Sequence, residues 1–109
     1  MYLYIGIAFM KFAIKKGTRN VVDLVRSFGY AHHGTNGTEY NFVRRLSGMD
    51  YPRLHVYVKE DTAKGEIILN MHIDQKKPSY HGSAAKGREY EGALLDKERE
   101  RIEKLVSKN

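Results

Sequence analysis

The chain contains no cysteine, which excludes disulfide staples and thiolate metal sites and suits a reducing compartment, so a cytoplasmic location is expected. It also lacks any run of about 20 apolar residues, the length a membrane-spanning helix needs. The most apolar stretch, Met1 to Met10, is closed by Lys11, Lys15 and Lys16. A secretory signal carries its positive charge before the apolar run rather than after it, so no membrane association is expected. Internal repeats, low-complexity tracts and linkers are absent. So are the patterns that announce a reaction: His32-His33 with the following glycines matches neither a phosphate loop nor a nucleophile elbow. The hydroxyls of Ser79 and Ser83 have no paired base at a recognised spacing.

What remains is one small basic domain. The 109 residues are 41% apolar, enough for a single modest core. Net charge is +6 and unevenly spread. Residues 1–58 carry eight Lys/Arg against three Asp/Glu, giving +5, whereas residues 59–109 carry eleven against ten, giving +1. A basic half is the electrostatic footprint of a polyanion binder.

Periodicity predicts the elements. Asn20 caps a short helix whose stripe is Val21, Val22, Leu24, Val25 and Phe28, and Gly29 supplies a left-handed stop. His32 to Gly37 reads as a loop dense in turn formers. A strand follows, with Tyr40, Phe42 and Leu46 on one face. In 53–59, Leu54, Val56 and Val58 face one way and Arg53, His55, Tyr57 and Lys59 the other. In 66–74, Ile67, Leu69, Met71 and Ile73 oppose Glu66, Ile68, Asn70, His72 and Asp74. Residues 75–91 show no period and read as a long loop. Ala93 to Ser107 reads as a charged helix buried through Leu94, Leu95, Ile102, Leu105 and Val106. The expectation is an α+β domain ordered α-β-β-β-α, a three-stranded antiparallel sheet packed on two helices. Residues 1–17 would add an N-terminal strand or an irregular arm, and Met10 is an alternative start.

That order resembles the double-stranded-RNA-binding domain and the HicA-type toxin fold over residues 20–107. Where HicA-like toxins have Gly-Ser-His, this chain reads Gly37-Thr38-Glu39. The RNA-binding domains carry a Lys-Lys-x-Ala-Lys cluster at the start of the last helix, whereas here Lys76-Lys77 and Ala84-Ala85-Lys86 fall in the stretch read as the preceding loop. The segments Arg44 to Gly48, Asp50 to Arg53, Asn70 to Tyr80 and Arg88 to Tyr90 are similar to a family of small prokaryotic proteins that carries no assigned activity.

Two hairpin registers keep the faces in phase. If Val56 pairs with Met71, then His55 lies opposite His72 and Arg53 opposite Asp74. The other puts His55 opposite Asn70 and Arg53 opposite His72. In both, His55, His72 and Asp74 cluster, and two imidazoles with a carboxylate suit Zn²⁺, Mn²⁺ or Fe²⁺, with His81 as a fourth group. The leading expectation is an RNA-binding module without a cofactor. Arg45, Arg53 and Tyr57 would face the strand, while Lys76, Lys77, Lys86 and Arg88 grip phosphates. The alternatives are a metal- or His-dependent hydrolase centred on His55, His72 and Asp74, and a homodimeric or protein-interaction module that covers the apolar Met1 to Phe12 segment.

Overall fold

Strict alternation along two strands decides where the core lies. Leu54, Val56 and Val58 are fully buried, as are Ile67, Leu69 and Met71, while their sequence neighbours point the opposite way. A computed structural model describes residues 4–75 and 84–108. The elements are β1 (Tyr4–Lys15), α1 (Val21–Arg26), β2 (Ala31–Asn36), β3 (Glu39–Arg45), β4 (Arg53–Asp61), β5 (Glu66–Gln75) and α2 (Ala84–Ser107). All strand pairs are antiparallel, in the order β1-β5-β4-β3-β2.

The expected three-stranded sheet on two helices is therefore wrong: the sheet has five strands, backed by one long helix and one short one. Two physical reasons account for the difference. The N-terminal segment has its own alternation: Phe12 and Ile14 are buried beside β5, whereas Phe9, Lys11, Ala13 and Lys15 face the other way. Pairing it with β5 buries that apolar row and satisfies the ladder in one step. The segment read as a loop, His32 to Gly37, forms most of β2. It is an edge strand that buries almost nothing, so no hydrophobic period marks it. Gly37, at φ +63°, opens the two-residue turn back into β3, a backbone conformation glycine adopts without strain.

The long helix begins at Ala84 rather than at Ala93, so part of the stretch read as loop is helical. Among the described side chains of its first turns the buried residues are Gly87 and Glu91, which give no apolar period. Farther along, Leu95 and Ile102 close the core against the sheet, and the Arg99 guanidinium lies 5.0 Å from the Phe12 ring centre. Short α1 is capped as its sequence suggests, with the Asp23 amide donating to Asn20 Oδ1 at 3.2 Å, and Gly29 beyond it has φ +96°. No helix of the described residues is long and apolar enough to cross a membrane.

Two buried polar clasps tie α2 to the rest. Tyr30 donates its hydroxyl to Glu98 Oε2 at 2.6 Å, and Arg101 bridges Glu98 to the Phe28 carbonyl. Burial, then the neighbouring Glu98 carboxylate, pushes the Tyr30 phenol far above its ordinary range, so it stays a donor. At the other end the fully buried Glu91 accepts from the Ala8 amide at 3.1 Å and from Gln75 Nε2 at 2.8 Å. Gly6 makes room for it: a Cβ there would lie 2.7 Å from both Glu91 Oε2 and the Ile73 carbonyl oxygen. Gly6→Ala is expected to cost about 1–3 kcal/mol, as other overpacked sites do, read as a lower urea midpoint. An unchanged midpoint would show that β1 does not approach Glu91 this closely.

Candidate functional site on the outer face of the sheet

Both helices pack on the apolar side, so the described elements leave the opposite face of the sheet uncovered. Register determines what stands there. Val56 pairs with Met71, which sets His55 against His72 and Arg53 against Asp74, the first of the two arrangements the sequence allowed. β3 adds Arg45 beside Arg53, Val43 beside His55 and Asn41 beside Tyr57. β1 adds Phe9 beside His72 and Lys11 beside Asn70.

Asp74 is the hub. Its side chain is 2% exposed and receives three partners. Arg53 Nε donates to Oδ2 at 3.2 Å, His55 Nδ1 meets Oδ2 at 3.1 Å, and His72 Nε2 meets Oδ1 at 2.9 Å. Burial alone would raise the Asp74 pKa. The hydrogen bonds from His55 and His72, with their charge, outweigh it and hold the carboxyl well below the usual range. His55 is held from its other side too, Nε2 lying 3.2 Å from Asn41 Oδ1. Tyr57 stacks on His55 with centroids 4.6 Å apart, and burial followed by the Asp74 and Glu39 carboxylates raises its phenol pKa. The result is a continuous row of rings: Phe9 against His72 at 6.0 Å, His72 against His55 at 4.9 Å, then Tyr57.

An open groove of about 660 Å³ adjoins the Asp74 cluster and shares Arg53 with it. Its walls include His33, Arg45, Asp50 and Tyr51, and the Arg53 guanidinium sits 4.8 Å from the Tyr51 ring centre. No family model matches the chain, and no curated protein or solved structure is significantly similar to it. The site has to be read from its own geometry.

The residues singled out from sequence divide four ways. Arg53, Tyr57, His55, His72 and Asp74 come together in one cluster. Arg45 is on the same face but is exposed and paired with Asp50 at 3.1 Å. Arg88 is exposed on α2, behind the sheet. Lys76, Lys77 and His81 lie outside the described residues, and Lys86 falls in α2 with its side chain outside them. Sequence reasoning passed over Phe9, Lys11, His33 and Tyr51. For Phe9 and Lys11 the signal was present: Phe9, Lys11, Ala13 and Lys15 alternate with Met10, Phe12 and Ile14.

Replacing Asp74 removes the shared acceptor from Arg53 and both histidines. Asp74→Asn is expected to lower stability by about 1–3 kcal/mol, less than for a wholly buried pair because Arg53 and His55 still reach water. Since the folded pKa is depressed, the stabilisation is present above about pH 4, the ordinary carboxylate range, and fades as pH falls through the lower folded value. Urea unfolding of both proteins at pH 5, 4 and 3 reads this as a gap that narrows with acid. A gap that stays constant or widens would mean Asp74 is not held ionised by these partners.

Proposed function

We propose that the outer face of the sheet binds RNA in single-stranded form, with bases laid on its rings and phosphates met by its cations. The observation that carries this reading is the ring row itself. Phe9 is 67% exposed on a strand whose inward residues are buried; His72, itself buried, backs the row from within, and the half-buried His55 and Tyr57 continue it at the surface. Aromatic faces exposed on a sheet surface stack unpaired bases without regard to sequence. Cations flank the row: Lys11 and Lys59 are exposed and have no ion-pair partner among the described residues. Arg53 and Arg45 lead from it into the groove, where Tyr51 adds another ring. The basic balance of the chain favours the same class of partner.

Fluorescence anisotropy with labelled single- and double-stranded RNA of equal length tests this. Binding is expected to favour the single strand. Its logarithmic salt slope should be near −2, as roughly three phosphate contacts give. Phe9→Ala and Tyr57→Ala should each weaken binding about 5- to 100-fold, the range for losing one stacked base, with the slope unchanged. Lys11→Gln with Lys59→Gln should instead flatten the slope. Absence of binding at 50 mM salt, or binding indifferent to Phe9 and Tyr57, would reject the proposal.

A further inference from the structure

We infer that His55 Nδ1, His72 Nε2 and one Asp74 oxygen form a binding site for a divalent first-row transition ion such as Zn²⁺. The inference does not rest on RNA binding. The three ligand atoms lie within 4.8 Å of one another. The two nitrogens stand 3.1 and 2.9 Å from carboxylate oxygens. An ion with bonds of about 2.1 Å has donor–donor edges of roughly 3–3.5 Å, so small side-chain rotations suffice to close the set. Two imidazoles and a carboxylate are a donor mix suited to zinc, iron or manganese rather than to calcium or magnesium.

Two observations beyond the cluster point the same way. The first concerns the proton on His55. Its ring lies between two oxygen acceptors, Asp74 Oδ2 at Nδ1 and Asn41 Oδ1 at Nε2. A neutral imidazole has one N–H, so it satisfies one acceptor and turns a lone pair toward the other. A cation between Nδ1 and the carboxylate resolves that conflict and leaves the remaining N–H for Asn41, the outer contact that orients metal-binding histidines. The second is that the carboxylate is itself fixed by Arg53, whose Nε donates to Oδ2 at 3.2 Å. That guanidinium also opposes the ion by like charge, which sets the expected affinity in the micromolar range rather than the nanomolar. Strands β4 and β5 carry all three donors on neighbouring, hydrogen-bonded positions, so the sheet preorganises them. The competing resolution is a doubly protonated His55 or a turned Asn41 amide, and it needs no ion.

The full chain, purified without a histidine tag and stripped with chelator, is titrated with Zn²⁺ at pH 7.5 against a chromophoric competitor. The expected result is one equivalent bound with a Kd of about 10 μM or below, released again by excess chelator. His55→Ala and His72→Ala should each weaken binding at least 10-fold. His55 is partly exposed, so its removal should leave the fold intact by circular dichroism. Arg53→Gln provides the decisive contrast. It should retain or tighten Zn²⁺ binding while lowering thermal stability, because it removes a like charge along with an Asp74 partner. The inference is overturned by a folded protein that binds less than half an equivalent at 100 μM Zn²⁺. Binding that survives both histidine substitutions, as ions held by His32 and His33 would, also overturns it. So does Arg53→Gln weakening Zn²⁺ in step with the histidine variants, which would mark Arg53 as part of a purely structural network.

Discussion

The pairing of β4 with β5 governs the rest of the molecule. Leu54, Val56, Val58, Ile67, Leu69 and Met71 are all fully buried on one side, each contributing on the order of 1.5–3 kcal/mol. A one-residue slip would turn that whole set to water and bring His72 and Asp74 into the core, so it is ruled out energetically. A two-residue slip would keep the faces, and apolar burial alone does not forbid it. The turn decides between them. Asp61 pairs with Glu66, Gly65 takes φ +63°, and the Lys64 amide bonds Asp61 Oδ1 at 3.3 Å. Arg53 and His55 then fall beside Asp74, and the ion pair reinforces the register that the turn selects.

β1 converts this hairpin into a site. Without it β5 would be an edge strand, and His72 and Asp74 would stand at the margin of the sheet. With β1 paired along β5, both are buried and Phe9 joins the ring row. The register of β1 shifts between Ile5 and Phe9, where Glu91 of α2 reaches the Ala8 amide and Gly6 leaves space for the carboxylate. Such an irregularity is held by named partners rather than tolerated, as bulges near functional surfaces commonly are. The helix on one side of the sheet thus sets how the last strand presents Phe9 on the other.

Much of this was legible in the residues, and the failures have definite causes. Alternation in 53–59 and 66–74 was enough to separate core from outer face, because every inward position there is apolar. The clustering of His55, His72 and Asp74 followed from that alternation in either register. Choosing the register required turn geometry, which composition does not encode. β2 escaped because an edge strand of histidines, glycine and asparagine buries nothing and so leaves no period. The start of α2 escaped because the buried residues described there are Gly87 and Glu91, and the Glu91 carboxylate is held by the Ala8 amide, 83 positions away in β1. Asn41, which holds His55 from its free side, was visible only as an outward polar residue until β3 was placed in register with β4.

A two-dimensional NOE spectrum of the 109-residue chain tests the central claim, that the face of the sheet opposite the helices carries Phe9, His72, His55 and Tyr57 as neighbours. Ring protons of His55 should cross-relax with those of His72 and Tyr57, whose centroids lie 4.9 and 4.6 Å away, and His72 should show Phe9 at 6.0 Å. Contacts from either histidine ring to the methyl groups of Leu95 or Ile102 would contradict the account, since those side chains belong to the opposite side of the sheet.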